Sequence, residues 1–349
     1  MTTPPVVSIV VPCRNEARYL TTCLDSILAT AYPRNHFEVL LVDGESDDGT
    51  RALAETYAAR HPSAAIRILS NPGRTAPAAL NIGIKEARGD VIARMDAHAT
   101  YPPEYLPGLV DALETMGADN VGGVLVTLPA NEGPTARAIA AALSHPFGVG
   151  NSQFRVGAKT PQWVDTVPFG CWRRSVFSWI GGFDEHLVRN QDDEFNHRLL
   201  ARGGRILLVP SVKAHYYARE SLAQVARMFY QYGLYKPLVA RKVGRVMTLR
   251  QLAPPAFTLA LGLALGFAPW LGAARVLGAA LAALYGVATL GAAAAQVKRL
   301  GVRAALALAV VFPVVHLSYG WGFLRGLVRW ARPAGTPSQT TAAAVPLSR

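Results

Sequence analysis

Every acidic residue of this chain lies within its first 220 positions. Residues 1–220 carry 21 Lys and Arg against 23 Asp and Glu, a balance of −2, whereas residues 221–349 carry 14 Lys and Arg and no acid. The basic part holds three stretches without a charge, 251–274, 276–297 and 304–324, of 24, 22 and 21 residues. At ~1.5 Å per residue, a helix of that length crosses a hydrocarbon layer of about 30 Å. Buried core helices are the alternative, and three in succession without a carboxylate argue against it. The net charge of +12 is therefore read as attraction to an anionic membrane surface, not to nucleic acid.

Arg241, Lys242, Arg245 and Arg250 precede the first stretch, and Lys298, Arg299 and Arg303 separate the second from the third. The positive-inside rule then puts the N-terminal part in the cytoplasm, on the inner (plasma) membrane of the cell, with a multi-pass anchor. A third full crossing places Arg325, Arg329 and Arg332 outside, against the same rule, and Pro313, Gly320 and Gly322 are points at which the third stretch could break into a re-entrant or interfacial segment, so a full span and a broken one both stay open. The tail 333–349, rich in Ala, Thr, Ser and Pro, is predicted to be disordered. This gives three regions: 1–240, a membrane region 241–332, and the tail. Cys13, Cys23 and Cys171 are odd in number and form no Cys-x-x-Cys pair, which fits a reducing compartment. No basic segment followed by a long apolar core opens the chain, so no removable signal peptide is expected.

Upstream, short apolar runs alternate with helical patterns: strands at 6–11, 37–42, 66–69 and 91–95, with helices at 16–30, 48–60, 76–87 and 103–115. That alternation predicts an α/β fold with a mostly parallel central sheet, whose ligands bind beyond the carboxyl ends of the strands. A further strand is expected at 121–128, a helix at 192–201 closed by Gly203-Gly204, and a strand at 206–209; the stretch up to Trp163 gives no clear pattern.

Four polar clusters follow or interrupt these elements. They are Pro12-Cys13-Arg14-Asn15-Glu16, then Asp43-Gly44-Glu45-Ser46-Asp47-Asp48-Gly49-Thr50, Asp96-Ala97-His98, and Gln191-Asp192-Asp193-Glu194. Asp96 and His98, one residue apart at the end of a buried strand, would aim a carboxylate and an imidazole the same way, a pair able to hold a divalent cation. Each cluster also has a bland reading: helix capping by Asn15 or Asp48, or acids favouring a helix N-terminus at 192–194.

Together and in this order, the segments resemble family 2 of the glycosyltransferases, which have the GT-A nucleotide-diphospho-sugar-binding fold; the resemblance spans roughly residues 6–240. It implies that Pro12 and Glu16 lie against the nucleotide, that Asp43 bonds its base and that Asp48 sits nearby. Gly44 departs from the second acid of the family's Val-Asp-Asp-Gly-Ser-x-Asp-Gly-Thr. Asp96-Ala97-His98 aligns with the family's Asp-x-Asp, which makes Asp96 a metal ligand and His98 a second; imidazole suits Mn²⁺ better than Mg²⁺. Gly181-Gly182-Phe183-Asp184-Glu185 matches the turn before the acceptor site. Asp192 falls on the catalytic base of the Glu-Asp-x-Asp pattern, from which Gln191 and Glu194 depart. The resemblance further implies a metal-ligand role for His215. Gln224-Val225-Ala226-Arg227-Met228 is similar to the Gln-x-x-Arg-Trp of processive synthases, but Met228 replaces Trp, which argues against a processive polymerase. Arg227 and Lys236 are candidates for the diphosphate, with exposed helix charge as the equal alternative, and Phe229, Tyr230, Tyr232 and Tyr235 are expected at the membrane interface.

Within the family, Arg94–Ala99, the 191–196 run and the apolar C-terminal segments most resemble ExoA-like succinoglycan glycosyltransferases. That implies an inverting enzyme that moves a sugar from a nucleoside-diphospho-sugar, UDP-glucose or similar, to a lipid-linked saccharide in exopolysaccharide or cell-envelope glycan synthesis. A divalent metal, Mn²⁺ or Mg²⁺, is its cofactor, and other envelope-glycan enzymes are its protein partners. Alternatives are a polyprenyl-phosphate glycosyltransferase, a catalytically decayed membrane scaffold, and a nucleotidyltransferase; the last would carry a Gly-rich basic loop where Pro12–Glu16 stand.

Overall fold

A computed structural model describes residues 3–244 and 248–331; Arg245, Arg332 and the tail 333–349 lie outside them. Contacts divide the chain into two units, Met1–Val126 with Gln153–Tyr216, and Thr127–Ser152 with Tyr217–Arg349.

The first unit opens with β1 (Val7–Cys13), α1 (Ala17–Leu28), β2 (Phe37–Asp43), α2 (Thr50–Arg60), β3 (Ile66–Ser70), α3 (Ala76–Glu86) and β4 (Val91–Arg94). Next come β5 (Ala99–Thr100), α4 (Tyr105–Thr115) and β6 (Asn120–Leu128); after an excursion into the second unit through α5 (Pro134–Leu143) and α6 (Pro146–Val149), the chain returns at α7 (Gln153–Val156). It continues through β7 (Gln162–Trp163), β8 (Cys171–Arg173), α8 (Ser175–Ile180), α9 (Gln191–Ala201) and β9 (Ile206–Tyr217). The strands form one sheet in the order β3-β2-β1-β4-β8-β6-β9-β5, with β7 also on β9.

The sheet is mixed. β1 runs parallel to both β2 and β4, and β3 runs parallel to β2; β8 is antiparallel to β4 and β6, as β5 and β7 are to β9. Side-chain alternation explains why β1 and β2 are apolar on both faces. Val7, Ile9, Val11, Phe37, Val39 and Leu41 enter one core, while Val10, Leu40 and Val42 enter the core on the opposite face.

Two elements differ from the expected ones. β4 stops at Arg94, so Asp96 and His98 occupy a turn and not alternate positions of a strand. The Asp96 carbonyl leaves the ladder to accept Ala99 N–H at 3.2 Å and the Tyr101 hydroxyl at 3.1 Å. β9 runs eight residues past the expected end at 209, because Pro210-Ser211, which read as punctuation, only precede further alternation in which Val212, Ala214 and Tyr216 are buried.

The second unit holds α5, α6, α10 (Leu222–Val243), α11 (Ala253–Phe267), α12 (Gly272–Ala294), α13 (Val297–Leu300) and α14 (Val302–Trp330). α12 and α14, of 23 and 29 residues, are long and apolar enough to cross a membrane. α11 has 15 residues and reaches only about 22 Å at ~1.5 Å per residue, so the first apolar stretch is too short for a full crossing. Leu277, Leu284 and Val287 of α12 point outward, as a lipid-facing helix requires. α14 does not break at Pro313, Gly320 or Gly322. Its glycines instead permit close helix contact: a Cβ at Gly322 would stand 2.1 Å from the Tyr230 carbonyl oxygen of α10, and one at Gly326 2.4 Å from that of Leu234. Tyr235 is buried with its ring 5.9 Å from that of Trp330, so it packs between helices and not at a water–lipid boundary. His316 of α14 bonds the Phe147 carbonyl at 2.8 Å and the Tyr285 hydroxyl at 2.7 Å, tying α6 to α12 and α14.

Candidate active site

Because β1, β2 and β4 run parallel, their carboxyl ends share one edge of the sheet. The loops after β1 and β2 are laced together there. Asp43, at the end of β2 and 1% exposed, accepts Ser46 Oγ–H at 2.6 Å and Ser46 N–H at 3.3 Å. Ser46 Oγ in turn accepts Asn15 N–H at 2.9 Å, and the Asn15 side chain exchanges bonds with Asp47 at 2.8 and 3.1 Å. Asp48 joins the starts of two helices by accepting the N–H groups of Ala17 (3.1 Å) and Thr50 (3.0 Å) and the Thr50 hydroxyl. Partial burial would raise its carboxyl, but the bonds from Thr50 and Ala17 outweigh that and hold it below its ordinary value. At Gly44 the Arg14 side chain lies 3.2 Å from where a Cβ would stand, so Arg14 covers the place of the second acid in the family pattern.

The turn after β4 carries the densest charge. Arg94, 6% exposed, grips Asp96 through Nε (2.7 Å to Oδ1) and Nη2 (3.1 Å to Oδ2), and reaches Asp192 Oδ1 with Nη1 at 2.7 Å. Burial disfavours the Asp96 carboxylate, yet Arg94, with His98 and Arg189, holds it below its ordinary value. Asp192 goes the other way: removal from water, with Asp96 and Asp193 adding repulsion against the pull of Arg94, pushes it up to about 6. Its side chain remains 31% exposed, so a substrate hydroxyl can reach it. His98 Nδ1 lies 3.2 Å from Glu16 Oε1, and the His98 ring packs edge-on against Tyr216 at 5.3 Å. Nδ1 faces Glu16, which leaves Nε2 as the ring nitrogen not paired with it.

The first turn of α9 is fixed from behind. Glu194, 8% exposed, is gripped by Arg198 at 2.8 Å through both oxygens. Arg198 also donates to the carbonyls of Ile180 and Gly182. Asn81 of α3 pins the Gly181–Glu185 turn by bonding both Phe183 N–H (2.8 Å) and Phe183 O (2.9 Å), and Phe183 stacks on Phe195 of α9 at 4.4 Å. Glu194 is thus committed to holding this turn.

The rim is therefore linked in three pieces that adjoin along the chain: Asp43 through Ser46 to Asn15, Glu16 to His98, and Asp96 through Arg94 to Asp192. Pro12 lies on the same rim in β1, half-buried. His215 is half-buried in β9 opposite Thr100. Among the described residues no three His, Cys, Asp or Glu side chains are grouped as a ligand set. A Mn²⁺ or Mg²⁺ ion that takes most of its ligands from a diphosphate needs only one or two protein ligands; Asp96 has the right chemistry for one but has both oxygens held by Arg94, and His98 offers the ring nitrogen that does not face Glu16. Arg227 and Lys236 belong to α10 of the second unit; Arg227 is exposed, whereas Lys236 is buried, which removes the exposed-charge reading for Lys236. Burial pushes the thiols of Cys13, Cys23 and Cys171 up, so all three stay neutral and unreactive.

The family model for Glycosyl transferase family 2 matches residues 8–178. The chain is also 32% identical over 328 residues to the succinoglycan biosynthesis protein ExoA of Rhizobium meliloti, across 93% of this chain and 96% of that one. The chain belongs to glycosyltransferase family 2. It is 28% identical over 242 residues to a dolichyl N-acetyl-alpha-D-glucosaminyl phosphate 3-beta-D-2,3-diacetamido-2,3-dideoxy-beta-D-glucuronosyltransferase of Methanococcus voltae, across 68% of this chain and 74% of that protein. Its fold is that of the mannosyltransferase PcManGT from Pyrobaculum calidifontis, solved with GDP-Man and Mn²⁺ (TM-score 0.59, 22% identity, 95% of this chain and 89% of that one).

In the sequence of this glycosyltransferase Arg94 enters only as the first residue of the Arg94–Ala99 run, with no role of its own. A single charged residue in the otherwise apolar Val91-Ile92-Ala93-Arg94-Met95 was the available signal, since a buried cation requires partners. The contact between Glu16 and His98 joins segments 82 residues apart, and no local spacing betrays it.

Proposed function

We propose that this glycosyltransferase moves a sugar, with inversion, from a nucleoside-diphospho-sugar to a lipid-linked saccharide in exopolysaccharide or envelope-glycan assembly. The observation that carries the reading is Asp192, raised to about 6, partly open to solvent, and tied by Arg94 to Asp96. Asp43 and the loop it organises, with Pro12, Glu16 and Asp48, would seat the nucleotide. Asp96 and His98 would hold a divalent cation, with His215 of β9 as a further ligand; when bound, such a cation neutralises charge on the diphosphate leaving group. Asp192 takes the proton from the acceptor hydroxyl as it attacks the anomeric carbon. Arg94 keeps Asp192 from protonating too readily and holds it in register with Asp96. Arg227 and Lys236 are proposed as contacts for the diphosphate. The acceptor class is supported by the similarity to ExoA and to a transferase named for a dolichyl-linked sugar phosphate. α12 and α14 would keep the enzyme in the membrane that holds such an acceptor, which raises the local concentration of its partner, with the sugar-transfer machinery on the cytoplasmic side.

The test uses the full chain in detergent with labelled UDP-, GDP- and dTDP-sugars, each with Mn²⁺, Mg²⁺ or EDTA. The acceptors are a saccharide-lipid and bare polyprenyl phosphate. Metal-dependent transfer to the saccharide-lipid supports the reading. Transfer to bare polyprenyl phosphate alone replaces it with the lipid-phospho-sugar alternative, and no transfer to either rejects it.

The raised value of Asp192 also fixes a pH dependence. A base must be deprotonated to act, so kcat/KM rises with pH through about 6 and levels above it. A flat acid side between pH 5 and pH 7 would contradict the assignment. Stability runs the opposite way: because the folded value exceeds the ordinary 3.8, the stability contributed by protonated Asp192 is complete below about pH 4 and is lost as pH rises through about 6.

A further inference from the structure

Arg155 stands outside every motif discussed above. It sits in α7, whose neighbouring Phe154 packs against both core layers of the first unit. Its guanidinium lies 5.6 Å from the Phe154 ring and 5.6 Å from the Tyr216 ring. Tyr216 in turn packs on His98, so two aromatic contacts in series connect Arg155 to the rim. Nη1 of Arg155 is buried and has no hydrogen-bond partner among the described residues. Stacking orients the guanidinium plane but supplies no acceptor. A buried charged donor left unbonded is costly and calls for a specific explanation.

We propose that Arg155 is a phosphate-binding residue of this glycosyltransferase, its unbonded Nη1–H reserved for a phosphate oxygen of a substrate. A planar, permanently charged fork is the side chain best matched to phosphate, and its position one aromatic ring away from His98 suits a diphosphate held beside Asp96. The same chemistry is offered by the donor's diphosphate and by the phosphate of a lipid-linked acceptor. The inference rests on the glycosyl-transfer reading above.

The experiment takes the full chain in detergent as wild type, Arg155→Met and Arg155→Lys. UDP, GDP and dTDP are titrated calorimetrically with Mn²⁺, and KM for donor and for lipid acceptor is measured on the same preparations. Failure of the wild type to bind any of the three overturns the glycosyl-transfer reading and this inference with it. Where the wild type binds, diphosphate affinity weaker by about 10- to 100-fold in Arg155→Met, the loss of one charge-assisted bond, with partial recovery in Arg155→Lys, assigns Arg155 to the donor. Unchanged diphosphate affinity with acceptor KM raised about tenfold or more assigns it to the lipid phosphate. Wild-type affinity and KM in Arg155→Met, whether or not its melting temperature falls, show a structural role only and overturn the proposal.

Discussion

Asp192→Asn is expected to lower kcat by about 100- to 10,000-fold, the usual worth of a positioned general base, while nucleoside-diphosphate affinity stays near that of the wild type. Asparagine keeps the size of the side chain and retains a carbonyl oxygen for Arg94 Nη1, so the turn has no reason to move. It cannot accept a proton, and the acid limb near pH 6 disappears with the carboxylate. Two measurements check this: single-turnover transfer at saturating donor, and calorimetric binding of the diphosphate. A variant with near-normal turnover shows that the acceptor is deprotonated elsewhere.

Arg94→Met is expected to be the most damaging substitution that leaves every carboxylate in place. Methionine fills part of the volume but leaves Asp96, 13% exposed, and Asp192, 31% exposed, without their shared cation. Breaking a buried ion pair by removing one partner costs about 3–5 kcal/mol, and the partial exposure of Asp192 places the expected loss toward the lower end. Without Arg94 both carboxyls titrate at higher pH, so the acid limb of kcat/KM moves upward from about 6 and activity at neutral pH falls. The pH–rate profile separates this from simple unfolding, because a merely destabilised enzyme keeps its original limb. A double-mutant cycle with Asp192→Asn gives the coupling directly: additive effects show that the 2.7 Å contact plays no part in tuning the base.

The parallel half of the sheet was legible because β1, β2 and β4 each show an apolar run on a doubly covered strand followed by a helix-period segment, and the half-buried edge strand β3 keeps the same strand-then-helix order. The antiparallel half was not. β5, β7 and β8 have two or three residues each, too few to show a period, and they exist through tertiary pairing. Asp43, Asp96 and Asp192 could be singled out because each stands in a polar cluster beside an ordered element. The interactions that fix them could not be read, since Arg94 to Asp192 spans 98 positions and Glu16 to His98 spans 82. Whether the last apolar segment breaks could not be read either: Pro313, Gly320 and Gly322 offer points of rupture, but α14 runs through them, and the missing side chains of Gly320 and Gly322 let it press against neighbouring helices.

The chain crosses between its two units three times, and the middle excursion carries α5 and α6 away with the apolar helices. The stretch 138–143 is buried throughout, in one cluster with Leu308, Val311 and Phe312 of α14. This excursion falls inside the family-matched segment 8–178. Trimming the C-terminus to obtain a water-soluble enzyme would therefore strip the cover from an oily helix encoded in the middle of the transferase itself. The distal helices are thus part of the packing that keeps this internal segment out of water, not an appendage to it.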